Sequence, residues 1–129
     1  MPDDNRRRAR SGSPYEPVIG FSRAIRVGDR VIVSGTGPVF PDGSCPGDAG
    51  RQAERCFAIM LEALAELGGE ARHVVRTRML LTDAADADAV GAVHAAVVGG
   101  AAPAATMVVV AALLDPRWRV EIELEAVVD

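Results

Sequence analysis

The stretch ATMVVVAALLDPRWRVEIELEAVV, residues 105–128, decides the fold class of this chain. Its first part is a continuous apolar run with several valines, and its second part alternates apolar residues with glutamate. The Asp115-Pro116 dipeptide between them is typical of a turn, so the stretch predicts two strands. Since side chains alternate between the faces of a strand, three carboxylates share one face of the second strand: Glu121, Glu123 and Glu125.

The segments before this stretch predict a strand hairpin, two helices and a further strand. Apolar side chains recur at helical spacing from residue 53 to residue 67, and Gly68-Gly69 ends that helix. The predicted elements are strands over residues 18–27 and 30–36, a helix from about residue 50, a strand over residues 73–83, an Ala-rich helix ending at Gly99-Gly100, and the two final strands. The order ββαβαββ predicts an α+β fold, a mixed sheet with two helices on one face.

The strand residues 107–110 are apolar on both faces of the predicted sheet. Two amphipathic helices cover only one face, and the chain offers no further segment for the other. We therefore predict a homo-oligomer whose interface is the second face of the sheet.

The composition is that of one globular domain: 129 residues, 49% of them hydrophobic and 25% charged. Residues 1–14 are polar and carry four arginines, and we predict a disordered arm there, followed by the domain over residues 15–129. A net charge of -4 argues against nucleic acid as a partner. The sequence has no signal-peptide core and no 18-residue apolar run, which predicts a cytoplasmic protein without a membrane span.

All 14 basic residues are arginine. The absence of lysine excludes Schiff-base catalysis, chain-anchored pyridoxal phosphate and a lysine-dependent P-loop. Cys45 and Cys56 form no metal-type pair, and His73 and His94 lack a second ligand at helical spacing. We expect two reduced thiols, no metal and no cofactor.

A few residues are candidates for chemistry. One of the three glutamates becomes a general base or acid toward water if its face of the strand meets a neighbouring subunit, although such a row is usually solvent-facing. The Ser34-Gly35 pair can offer a hydroxyl and backbone donors to a ligand, or simply end a strand. His94 is a core contact or a cleft base. Three aspartates are interpreted as helix-capping residues rather than metal ligands: Asp83, Asp86 and Asp88.

Four segments together resemble a known family. They are GFSRAIRVGDRVIVSGT (20–36), RQAERC (51–56), VVRTRMLLTD (74–83) and APAATMVVVAALLDPRWRVEIELEAVV (102–128). Their order and spacing are similar to those of the RidA (YjgF/YER/UK) reactive intermediate deaminase family, over about residues 15–128. The resemblance implies a chorismate-mutase-like fold that forms a homotrimer around a sheet-lined central barrel, with three clefts between subunits.

The resemblance also implies a chemistry, together with a departure from it. Deaminating members hydrolyse enamines and imines produced by pyridoxal enzymes, without metal or cofactor, and release a 2-oxo acid and ammonia. Their arginine after Pro-Ala clamps the substrate carboxylate, and Ala105 stands at that position here. The family's tyrosine, asparagine and cysteine of the cleft fall at Phe21, Gly91 and Met107. The positions that survive are Glu121, Ser34 and Gly35.

These departures predict a small-molecule ligand unlike the usual 2-imino acids, bound in intersubunit clefts, with Glu121 activating water in an imine or enamine hydrolase of the deaminase type. Arg23, Arg78 or His94 would have to replace the lost cation if the ligand is anionic. The alternatives are a noncatalytic trimer that binds a metabolite or a protein, and a tailoring enzyme in a biosynthetic pathway.

Overall fold

The computed structural model describes residues 6–129, which form one six-stranded sheet with the two long helices on one face. The strands are β1 (Arg6–Ala9), β2 (Ala24–Val27), β3 (Arg30–Thr36), β4 (Val74–Leu81), β5 (Ala104–Val109) and β6 (Val120–Val127). The α-helices are α1 (Tyr15–Ile19), α2 (Ala49–Glu66) and α3 (Ala87–Val98), and 3-10 turns at Ala71–His73 and Ala84–Asp86 precede β4 and α3.

The sheet has the strand order β1-β2-β3-β6-β4-β5. All neighbouring strands are antiparallel except β4 and β5, which α3 connects as a parallel pair. The predicted α+β class with a mixed sheet is confirmed. The last strand of the chain, β6, lies in the middle of the sheet, because it pairs with both β3 and β4.

Helix α2 forms where the periodicity predicts it. The Asp48 side chain caps the helix by accepting a hydrogen bond of 2.8 Å from the backbone N–H of Arg51. At the other end Gly68 has a φ of +88°, a left-handed conformation that glycine adopts without strain. The stripe between these ends is buried against the sheet: Cys56, Phe57, Met60, Leu64 and Leu67.

The residues of strand β6 show how the two faces of the sheet differ. Its apolar residues from Val120 to Ala126 are buried beneath the helices, whereas the alternating glutamates are half-buried on the opposite face. That open face also carries Ile32, 40% exposed, and on β5 Val108, 41% exposed. The predicted uncovered face is therefore present in the single chain.

The N-terminal segment corrects the sequence prediction. The structure differs from the predicted disorder over residues 6–14, because β1 pairs with β2 along its length and Ser11 and Ser13 donate hydrogen bonds to the Glu16 carboxylate. Backbone pairing needs no apolar side chains, and the β1 arginines stay exposed at a sheet edge, where charge is tolerated. The remainder of the predicted arm, residues 1–5, lies outside the described residues.

Two predicted strands are shorter than expected. Residues 18 and 19 belong to α1, which ends at Gly20 with a φ of +91°, so β2 begins only at Ala24. Strand β5 ends at Val109, and residues 110–114 form a loop in which Leu114 is 74% exposed. Over residues 6–129, no helix is both long and apolar enough to cross a membrane.

Candidate functional site

A bulge in β3 shapes the candidate site. Val33 pairs with Leu124 and Thr36 pairs with Ile122, so two residues of β3, Ser34 and Gly35, stand opposite the one residue between those partners on β6. Such a bulge re-aims side chains and is common beside active sites. It places the backbone of Ser34 and Gly35 next to the glutamates of β6.

Glu121 lies directly against this bulge. A Cβ atom placed on Gly35 would come within 2.6 Å of the Glu121 Oε2 atom, so the carboxylate occupies the space that any larger residue would fill. Burial raises the pKa of Glu121 above its usual range, and the negative charge of Glu123 raises it further, while the Arg23 guanidinium lowers it. A carboxyl group with a raised pKa is suited to take up and return protons near neutral pH.

Ser34 faces a shallow depression on the open face of the sheet. Its hydroxyl donates a hydrogen bond of 2.7 Å to the backbone carbonyl of Ser22, which leaves its oxygen lone pairs available to a donor. The depression encloses about 180 Å³ and is lined by arginines and glutamates of β4 and β6. This volume is small for a ligand pocket, which usually measures about 300–1,000 Å³.

Phe21 lies in the segment between α1 and β2. The Arg23 guanidinium carbon is 5.4 Å from the centroid of its ring, a cation–π distance. Phe21 also lines an open surface cleft of about 670 Å³ together with Arg10. The Arg10 guanidinium donates a hydrogen bond of 3.0 Å to the hydroxyl of Ser22 on the wall of this cleft.

The other predicted site residues form a second group on the helix side of the sheet. The Met107 side chain reaches to within 4.0 Å of the position that a Cβ on Gly91 of α3 would occupy. His94 Nε2 is 2.7 Å from the Thr77 hydroxyl, and burial lowers the pKa of this histidine. Ala105 pairs in register with Thr77 and is exposed.

Within one chain the sheet separates these two groups. Glu121 is opposite Leu80 on the open face, whereas Ala105 is opposite Thr77, whose side chain points toward the helices. Successive residues of a strand point to opposite faces of the sheet. The face that each predicted site residue occupies therefore could not be inferred from how far apart these residues lie in the sequence. The structure thus brings Glu121, Ser34 and Gly35 together at the bulge, where Phe21 is connected only through its contact with Arg23. It groups Ala105, Met107, Gly91 and His94 elsewhere.

The two arginines considered as replacement cations both form polar contacts within the chain. Arg23 is 6% exposed and donates to the backbone carbonyl of Gly35 at 2.6 Å. Arg78 pairs with Glu123 across β4 and β6. Sequence reasoning missed the buried Glu16, which lies 3.6 Å from the Arg23 guanidinium. No periodicity or motif around Glu16 marks it, because its partner is set by tertiary packing.

The three aspartates predicted to cap a helix have different roles. Asp83 caps the 3-10 turn before α3, accepting a hydrogen bond of 2.9 Å from the backbone N–H of Ala85. The prediction is wrong for Asp86, which stands at the N-cap of α3 without a side-chain capping bond; its buried carboxylate instead accepts two hydrogen bonds of 3.0 Å from the Arg119 guanidinium. Asp88 lies in the first turn of α3, where a negative charge is favoured. Residues 6–129 contain no cluster of three or more histidines, cysteines and acidic residues that could hold a metal ion.

Comparison with known proteins places the chain in a family. Residues 12–128 match the family model described as Endoribonuclease L-PSP. An uncharacterized protein of Streptomyces coelicolor is 41% identical over 121 residues, which are 93% of this chain and 90% of that protein. Protein DfrA of Myxococcus xanthus is 38% identical over 112 residues, covering 83% of this chain and 84% of that protein.

Solved structures show the same fold. The crystal structure of Rv2704 from Mycobacterium tuberculosis, described as a member of the highly conserved YjgF/YER057c/UK114 family, has a TM-score of 0.88 and 37% identity, covering 95% of this chain and 99% of that one. RidA from the Antarctic bacterium Psychrobacter sp. has a TM-score of 0.81 and 28% identity, covering 94% of each chain.

The architecture is therefore that of the α+β proteins of the YjgF type. The chain belongs to the YjgF/RidA family, whose family model is named Endoribonuclease L-PSP. The resemblance found in the sequence motifs is confirmed.

Proposed function

We propose that this chain forms a homotrimer and hydrolyses a small imine or enamine in clefts between subunits, with Glu121 as the catalytic residue. The observation that carries the proposal is the half-buried carboxylate of Glu121, which lies on the Gly35 bulge with a raised pKa. The first part of the reaction is proton removal from water, for which a positioned carboxylate is a suitable base.

The proposed reaction needs no redox partner. The ionised Glu121 removes a proton from water while the water oxygen bonds to the imine carbon, and the C=N double bond becomes a single bond. The protonated carboxyl then returns that proton to nitrogen, which gives a carbinolamine. The carboxylate next takes the hydroxyl proton of the carbinolamine and passes it to nitrogen, so that the C–N bond breaks, a C=O bond forms and ammonia leaves. One imine and one water thus give one carbonyl compound and one ammonia. Raising the pKa of Glu121 toward the working pH helps it serve in both steps.

We propose a substrate without a carboxylate next to the imine. Ala105 has only a methyl group where deaminating relatives carry a clamping arginine, and charge-assisted hydrogen bonds of that kind are worth about 1.5–3 kcal/mol each. Arg23 and Arg78 do not substitute for it, because one is bonded to backbone within the fold and the other is paired with Glu123. A neutral imine or a protonated iminium ion fits a site centred on Glu121.

We include a trimer in the proposal because one chain does not build a closed pocket. The depression beside Ser34 is shallow, and the group around Ala105 lies on the other side of the sheet. Exposed apolar residues such as Ile32 and Val108 suit burial against another subunit. Sedimentation equilibrium tests the assembly, and a stable monomer at micromolar concentration would rule it out.

A noncatalytic binding protein is the second candidate, favoured by the apolar residues at Phe21, Gly91 and Ala105, where polar groups orient the substrate in deaminating relatives. A thermal-shift screen of small metabolites and a pull-down separate the two ideas. A protein partner without any metabolite shift favours the binding protein. We do not propose the ribonuclease activity in the name of the family model, because the net charge of -4 opposes binding to RNA.

The deciding experiment measures ammonia release from freshly generated imines with and without a carboxylate. We expect hydrolysis of the carboxylate-free imine, and a fall of about 10²–10⁴-fold in Glu121→Gln. Glu125→Gln is the matched control, because Glu125 lies on the same face of β6 but pairs with the exposed Arg30. Equal rates for the native protein and Glu121→Gln would refute the catalytic role.

A further inference from the structure

We propose that Arg23 is a positioning residue for Glu121. Arg23 fixes the backbone of the Gly35 bulge by hydrogen bonds and supplies positive charge near the Glu121 carboxylate, which rests on that bulge. The inference goes beyond the proposed function, on which it depends only for the role of Glu121 in the reaction.

The Arg23 side chain is fixed by several hydrogen bonds. Its Nη1 atom donates to the Gly35 carbonyl at 2.6 Å and to the Thr36 hydroxyl at 3.2 Å, and its Nε atom donates to the Ser11 hydroxyl at 3.3 Å. A planar guanidinium can reach these three acceptors at once, whereas an ammonium group on a flexible stem cannot hold the same geometry. Arg23 therefore fixes the orientation of the peptide group that follows Gly35.

Gly35 is the point at which Arg23 and Glu121 meet. The guanidinium binds its carbonyl oxygen, and the Glu121 carboxylate lies where its Cβ would be. A shift of the Gly35 backbone would consequently move the surface against which the carboxylate rests. Arg23 acts on the geometry of Glu121 through this single residue.

The charges around Glu121 leave Arg23 a distinct electrostatic role. Glu123 of the same strand disfavours the ionised carboxylate, as burial does, and Arg23 opposes both effects. The Cys56 thiol also lies in this region, and burial keeps it neutral by raising its pKa. Leu80, opposite Glu121 on β4, contributes no charge.

Glu16 of α1 completes the arrangement. Its carboxylate is 4% exposed, accepts hydrogen bonds from the Ser11 and Ser13 backbone N–H groups, and lies 3.6 Å from the Arg23 Nη2 atom. A buried arginine is costly without a partner, so Glu16 makes the burial of Arg23 possible. The N-terminal segment is thereby linked to the site through Arg23.

The experiment is a carbon-13 NMR titration of the Glu121 carboxyl in the full-length protein, which needs no substrate. We expect the apparent pKa of Glu121 to rise in Arg23→Gln and to stay unchanged in Arg26→Gln. Arg26 is a matched control, because it is three residues away and donates to the backbone carbonyls of Gly28 and Leu67, not to the bulge. In the same samples, amide exchange near Gly35 should accelerate only when Arg23 is replaced.

Arg23→Lys is the second variant, since it keeps a cation if Arg23→Gln does not fold. Faster amide exchange at the bulge and an altered Glu121 titration support the proposal. A Glu121 titration and bulge exchange identical to those of the native protein, in whichever of the two variants folds, would overturn it. Inactivity of the native protein toward every imine would refute the proposed function while leaving this titration result intact.

Discussion

Replacing Gly35 with alanine tests the central geometry of the site with a single methyl group. The new Cβ would lie 2.6 Å from Glu121 Oε2 and 3.4 Å from the carboxyl carbon, and Cβ atoms essentially never come within 3.0 Å of another heavy atom. The carboxylate must therefore retreat by several tenths of an ångström. Gly35 does not have a positive φ, so alanine can adopt its backbone conformation.

The two expected effects differ in size. The displaced atom is the end of a flexible side chain, and a glycine-to-alanine change at a compatible site gains about 0.4–1 kcal/mol from the unfolded state, so the free energy of unfolding should stay within about 1 kcal/mol. Catalysis is more sensitive to position, since a misplacement of about 1 Å can cost about 10²-fold in rate. We expect a rate loss of about 10-fold to 100-fold toward a carboxylate-free imine.

The assay combines urea unfolding, the Glu121 titration and initial rates of ammonia release. Gly47→Ala is the matched control, because a Cβ at Gly47 meets no atom within 4 Å and its φ is not positive. Full activity and an unchanged Glu121 titration in Gly35→Ala, at native stability, would refute the idea that the bulge places the carboxylate.

Three further predictions concern stability and reactivity. Glu16→Ala should lower the free energy of unfolding in urea by about 3–5 kcal/mol, because it leaves a buried arginine without its partner. Arg30→Ala removes an exposed ion pair and should cost at most about 1 kcal/mol. Equal losses of stability in the two variants would contradict this prediction. Burial lowers the pKa of His94 below its ordinary 6.5, so as the pH falls this histidine takes up a proton in the unfolded chain before it does so in the folded chain. The stability of the protein should therefore fall as the pH drops from 6.5 through the folded-state pKa. The same pH dependence of stability in the native protein and in His94→Gln would exclude this effect. Cys56 is buried, and burial raises the pKa of its thiol. A thiol reagent should therefore modify only Cys45 in the native protein and both cysteines in urea, which mass spectrometry can measure. Rapid labelling of Cys56 in the native protein would contradict its burial.

Local patterns in the sequence were sufficient for much of the fold. The apolar repeat between Ala53 and Leu67 gives α2 because every third or fourth residue faces the core, and the alternation from Val120 gives β6 because every second residue does. The pattern of β1 is different, since its three arginines carry no apolar signal. That strand forms through backbone pairing with β2, which no local pattern announces.

The candidate site was predictable only in part. The motif resemblance selected Glu121, Ser34 and Gly35, and the structure brings these three together at the bulge. The resemblance also selected Ala105, and the residue types alone suggested His94; both lie on the other side of the sheet. A residue's face depends on strand register and on bulges, and these are set by pairing between distant segments.

The sequence by itself determined the order of the main elements from β2 onward, the two-faced character of β6 and the absence of lysine, because each of these is a property of composition or local period. Only the tertiary structure decided what the arginines near the candidate site do. Arg23 and Glu16 stand seven positions apart in segments with no shared pattern, yet they are buried together against the bulge at Gly35. Burial makes a charge depend on its partners, and Arg23 meets its partners only after α1 and β3 have packed against it.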